Sequence, residues 1–221
     1  PPIKSYVRRI GRITPSQRQA LKETYSRFGL TFDKAPLDFA SIFQRQAPCI
    51  LEIGFGDGES LLKQAIDNPQ KNYIGIEVHT PGVGRLLANI GALGLKNIRV
   101  IEHDAVDVLK YCIPDGSLDG VQVFFPDPWH KKRHNKRRLV QLTFVEQVVE
   151  KLKSGGCLHL ATDWTEYAEH MVSVLSQVKD LTNQADEGVC YLNAYALRPM
   201  TKFEARGLRL GHQISDLVYI K

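Results

Sequence analysis

From Cys49 onward the chain alternates short apolar runs with segments of helical periodicity, and this alternation narrows the possible folds more than any other feature. CILEIGFG, NYIGIEV, NIRVIEHDA, LDGVQVFF and GCLHLAT read as buried strands. Residues 59–66 follow a glycine turn and read as a helix, and Val83, Leu86, Leu87 and Ile90 recur at helical spacing. Leu142, Val145, Val148, Val149 and Leu152 form another stripe, expected to stop at Gly155-Gly156. Tyr167, Met171, Val174, Leu175 and Val178 give a further one. Strand, helix, strand, repeated about five times, demands right-handed crossovers and a mostly parallel sheet with helices on both faces. After Val178 the rhythm changes. GVCYLNAYAL and HQISDLVYIK read as two strands with no convincing helix between them, an antiparallel finish at one sheet edge.

The 221 residues, 43% of them hydrophobic, suffice for one domain with a sizeable core. The expected division is a basic, partly mobile arm over residues 1–30, carrying Lys4, Arg8, Arg9, Arg12 and Arg18, and a single domain over 31–221. Residues upstream of Pro1 are expected. The net charge of +5 is mild but uneven, concentrated in this arm and in a second run discussed below. Cys49, Cys112, Cys157 and Cys190 are widely spread without a C-x-x-C pair, so reduced thiols in a cytoplasmic protein are expected rather than disulfides or a zinc site. No apolar run approaches a membrane span.

In an open α/β sheet, ligands bind beyond the C-terminal ends of the strands. The first strand ends in LEIGFGDGES, bringing Glu52, Gly54, Gly56 and Gly58; the second ends at Glu77 and the third at Asp104. A dinucleotide loop wants G-x-G-x-x-G, but the third position here is Glu59. The pattern is instead E-x-G-x-G-x-G. A carboxylate beside the loop disfavours a pyrophosphate and suits a cationic ligand such as S-adenosylmethionine, with Glu77 accepting from both ribose hydroxyls and Asp104 from the adenine amine. No metal is expected.

The fourth strand runs into VQVFFPDPWHKKRHNKRRLV. Pro126 and Pro128 restrict the backbone on both sides of Asp127. Trp129 either stacks on a base or caps the core. Lys131, Lys132, Arg133, Lys136, Arg137 and Arg138 begin four residues after a cleft carboxylate, a placement suited to holding polynucleotide phosphates while one base reaches the ligand.

Together, LEIGFGDGESLL, GIEVH, FPDPWHKKRHNKRRLV, ATDW and RPMTKFEARGLRLGH resemble the bacterial tRNA (guanine-N7)-methyltransferases, the TrmB family. The resemblance covers nearly the whole chain. It implies a Rossmann-like, seven-stranded class I methyltransferase fold that methylates N7 of the guanosine at position 46 in the tRNA variable loop, with no obligate protein partner evident. It also implies that Glu52, Glu77, Asp104 and Asp127 contact S-adenosylmethionine, with Asp127 the catalytic residue. Lys131, Asp163, Thr201, Lys202, Phe203 and Glu204 become substrate-binding residues, and Arg133, Lys136, Arg137 and Arg138 face RNA. Asp163 and Glu204 are acceptors suited to guanine's N1–H and N2–H₂, although Asp163 also fits as the cap of a following helix. Three rivals remain at this level. One is an adenine amino-methyltransferase, disfavoured because Asp127 lies between the prolines rather than before them. The others are an NAD-dependent oxidoreductase and a non-catalytic RNA-binding protein.

Overall fold

The computed structural model describes residues 4–6, 11–186, 190–192 and 198–221. The stretch expected as a basic arm contributes two short helices, α1 (Pro15–Glu23) and α2 (Tyr25–Phe28), ahead of α3 (Phe39–Phe43). Thr14 starts α1 with a reciprocal capping box to Gln17, and Ala20 and Phe28 are buried against the body. Arg8 and Arg9 lie outside the described residues.

The five apolar runs become β1 (Cys49–Ile53), β2 (Asn72–Glu77), β3 (Ile98–Glu102), β4 (Leu118–Phe124) and β5 (Leu152–Thr162). The helices between them are α4 (Glu59–Asp67), α5 (Thr80–Leu93), α6 (Ala105–Tyr111) and α7 (Leu142–Lys151), with α8 (Thr165–Leu175) after β5. With β6 (Thr182–Asn183) and β7 (Ser215–Ile220), the strands form one seven-stranded sheet in the order β3-β2-β1-β4-β5-β7-β6. β1 to β5 pair in parallel, while β7 runs antiparallel to both its neighbours. The helical stripes read from the sequence are the buried faces: Val83, Leu86, Leu87 and Ile90 cover one side of the sheet, and Val145, Val148, Tyr167 and Met171 the other.

Three expectations change. α7 ends at Lys151, and Leu152 already belongs to β5, so Gly155-Gly156 lie inside an irregular strand rather than closing the helix. A helix, α9 (Lys202–Arg209), occupies the region expected to be helix-free, and β7 lies inside the sheet with β6 at the edge. Most of the expected strand over residues 188–197 lies outside the described residues, although Leu192 bridges to Asp216. Among the described residues no helix is long and apolar enough to cross a membrane, no metal-binding cluster occurs and the four cysteines are free.

Candidate active site

Because β1 lies between β2 and β4, strand order reverses at the β1–β4 boundary, and the crevice beyond these strand ends is the expected ligand site. Gly54, Glu77, Asp104 and Asp127 line one pocket there. Glu52, Gly54 and Gly58 line an adjoining one that shares Gly54 and Phe124 with the first. The four carboxylates therefore gather on one rim.

The turn between β1 and α4 holds Gly54, Gly56 and Gly58 at φ of 75°, 60° and 78°, a region costly for any residue with a side chain. Glu77 fixes that turn. One carboxylate oxygen accepts from the Gly56 amide at 2.8 Å, the other from the amides of Val78 at 2.7 Å and His79 at 3.0 Å. Three of its roughly four acceptor positions are thus occupied by backbone, which leaves less for a ribose than the sequence implied. Asp104 starts α6, accepting from the Val106 amide, and its other oxygen meets the Lys4 ammonium at 2.6 Å.

Glu52 is buried, and its nearest polar partner is the Gln64 amide at 3.5 Å. Burial, reinforced by Glu77 and opposed by Arg198, pushes its carboxyl up to about 8. Among the described residues no cation pairs directly with Glu52, an arrangement suited to a ligand ammonium, and space opens beside it at Gly54, where an added Cβ would meet nothing within 4 Å. Folding therefore takes up a proton at Glu52 between the ordinary carboxylate range and about pH 8. The wild-type protein is expected to lose stability relative to Glu52→Gln as pH rises through that window. Thermal melts of both proteins at about pH 5 and about pH 8.5 measure this difference, and parallel curves would refute it.

Asp127 lies exposed between Phe125 and Trp129, both in the left-handed region at φ of 54° and 48°. Such backbone costs of order 1–3 kcal/mol per residue and persists only where surroundings enforce it. The enforcing contacts are visible. Asp127 Oδ1 accepts from the Trp129 amide at 3.0 Å, the Phe125 amide donates to Ala161, and Arg138 Nε donates to the Pro128 carbonyl at 2.8 Å. Trp129 neither caps the core nor lies open for a base: its indole N–H donates to the Ser5 carbonyl and the Arg137 guanidinium lies 4.9 Å from its ring centre.

The cationic run forms a 3₁₀ helix over Lys132–Arg137. Lys131, Lys132, Arg133 and Lys136 are exposed, and Arg137 is half-buried. Arg138 is a correction. It is only 4% exposed, stacks 4.8 Å from the centre of the Tyr167 ring and braces Pro128, so it supports the Asp127 loop instead of facing RNA.

Asp163 and α9 form the far wall of a wider cleft that also contains Gly56, Asp127 and His130. Asp163 does not cap α8, whose N-cap is Trp164; it meets His212 Nδ1 at 3.1 Å. Thr201 is the N-cap of α9, boxed reciprocally with Glu204. Glu204 is a second correction: it is 1% exposed and paired with Arg198 at 2.5 Å, which takes it away from any base. Lys202 pairs with Asp57 across the glycine turn, and Phe203 stands beside Gly56. Arg198 and His212 sit within the quoted RPMTKFEARGLRLGH stretch but have no assigned role there; Ser5 and Tyr6, which line the first pocket, have no sequence signal beyond their basic neighbours.

Set against known proteins, residues 46–217 match the methyltransferase family model Methyltransf_4. The fold resembles a SAM-dependent methyltransferase from Aquifex aeolicus, with a TM-score of 0.54 at 14% identity over 92% of this chain and 97% of that one. It also resembles the 16S rRNA methyltransferase KamB, with a TM-score of 0.56 at 14% identity over 83% and 92%. A class I S-adenosylmethionine-dependent methyltransferase is what this sheet, glycine turn and acidic rim define. A tRNA (guanine-N(7)-)-methyltransferase from Yersinia enterocolitica is 54% identical over 217 residues, 98% of this chain and 90% of the relative. Another, from Actinobacillus succinogenes, is 52% identical over 222 residues, 99% and 88%. The chain belongs to this family of tRNA (guanine-N7)-methyltransferases.

Proposed function

We propose that the protein methylates N7 of the guanosine at position 46 in the tRNA variable loop, with S-adenosylmethionine as donor. The observation that carries this reading is the shared acidic rim, continuous with a wide cleft that has exposed cations on its approach. When bound, S-adenosylmethionine supplies an electrophilic methyl group on a sulfonium sulfur. Glu52 and Asp104 would hold its amino group and adenine, and Glu77 keeps the glycine turn closed.

Guanine N7 offers a lone pair and no proton, so the site needs no general base. Positive charge grows on the purine as the bond to N7 forms. Asp127, fixed by its neighbours at the rim, stabilises that charge and aligns the base; alignment alone is worth several kcal/mol when near-attack geometry is held. Asp163 is the acceptor available for the guanine edge on a base turned out of its stack.

The deciding experiment incubates unmodified tRNA transcripts, with and without guanosine at the variable-loop position, with labelled S-adenosylmethionine. Label in 7-methylguanosine, lost when that guanosine is replaced, is the expected result. Label in N6-methyladenosine would establish the adenine rival instead.

The corrected cationic run makes a sharper prediction. Arg133→Ala is expected to flatten the salt dependence of tRNA binding, the log–log slope changing by roughly 0.7–0.9. Arg138→Ala is expected to leave that slope unchanged while lowering the melting temperature, since its guanidinium is buried. Equal slopes for wild type and Arg133→Ala would place Arg133 away from the phosphates.

A further inference from the structure

We infer that His212 is a positioning residue for base recognition, holding the Asp163 carboxylate toward the guanine edge. This rests on the N7-guanosine reading above and deepens it.

Asp163 is clamped from two sides. His212 Nδ1–H donates to Oδ2 at 3.1 Å, and a Cβ added at Gly207 of α9 would lie 2.9 Å from that same oxygen. Helix α9 therefore presses on the carboxylate at the one point where it has no side chain. The imidazole is itself held: the His212 amide donates to the Gly207 carbonyl at 3.0 Å, and Gly211 at φ 76° makes the turn between them. Trp164 lies edge-to-face between His130, 4.2 Å away, and His212, 6.4 Å away, tying the loops after β4, β5 and α9 together. Asp163 and His212 are nevertheless about one-third exposed, on the wall of the wide cleft. Among the described residues no donor meets Oδ1. One oxygen is thus fixed by the protein and the other is left for a ligand that donates. Guanine presents adjacent N1–H and N2–H₂ donors to such an acceptor.

The test compares methylation of transcripts bearing guanosine or inosine at the target; inosine lacks the N2 amine. Wild type is expected to favour guanosine in kcat/KM by roughly 10- to 100-fold, the worth of a hydrogen bond to a charged group. His212→Ala is expected to bring that preference close to unity, with donor affinity by calorimetry unchanged. His212→Asn, whose amide N–H can take the Nδ1 position, is expected to keep most of it. Gly207→Ala is also expected to lose it, although alanine favours the helix. An unchanged preference in His212→Ala, or a loss in His212→Asn as deep as in His212→Ala, overturns the assignment. Should His212→Ala fail to fold, His212→Asn and Gly207→Ala decide alone: a lost preference in the first or a retained one in the second refutes it. A wild-type protein that forms no 7-methylguanosine refutes the reaction itself, and one that methylates both transcripts equally refutes the recognition.

Discussion

Arg198→Met is expected to destabilise the fold by about 3–5 kcal/mol, the usual cost of removing one partner from a buried ion pair. Arg198 is enclosed, its side chain 1% exposed. It donates to both oxygens of Asp216, at 2.7 and 2.8 Å, and to Glu204 at 2.5 Å. His159 adds a contact of 2.7 Å to Asp216. Burial works to raise the Asp216 carboxyl, but hydrogen bonds from His159 and Arg198 outweigh it and hold the group below its usual range. Without the guanidinium, among the described residues Asp216 keeps His159 alone as a side-chain partner, and Glu204 keeps its capping contact with Thr201. The guanidinium also covers the rings of Phe124 and Phe125, at 5.2 and 5.4 Å, so the damage reaches the segment leading to Asp127. Denaturant unfolding of both proteins measures the loss. A change below about 1 kcal/mol, typical of exposed pairs, would mean that water reaches the network.

This network also marks the limit of what the sequence discloses. Strands and the acidic rim were legible because burial on both faces forces continuous apolar runs, and because parallel order places every strand end on the same side. No further information is needed to bring Glu52, Glu77, Asp104 and Asp127 together. Glu204 was misread for the opposite reason. Its charged partner is Arg198, which lies before α9 and is held in turn by Asp216 on β7, and only the folded chain shows the three converging. Helix α9 itself was missed because KFEARGLR is polar and short, with Glu204 turned inward where an apolar residue would have signalled the face. Arg138 looked like its neighbours in a uniform basic run. What separates it is the Pro128 carbonyl and the Tyr167 ring, ten and twenty-nine positions away. The one local hint was its place directly before Leu139-Val140, where the chain turns inward.

Asp127→Asn tests the chemistry with the least disturbance to the frame. Asparagine keeps an Oδ1 that can accept the Trp129 amide, and the Arg138 brace acts on Pro128 rather than on the side chain, so the loop is expected to hold its shape. What disappears is the negative charge. If that charge stabilises a purine turning cationic, kcat should fall by roughly 100- to 1000-fold, the scale seen when one preorganised electrostatic contact is removed from a site. Affinity for tRNA should change little, since Asp127 repels phosphates rather than holding them. Single-turnover kinetics with saturating donor and tRNA, alongside equilibrium binding of each, separates these outcomes. Equal losses in turnover and tRNA affinity would show that Asp127 acts by binding the substrate, and a kcat near wild type would place the stabilising charge elsewhere on the rim.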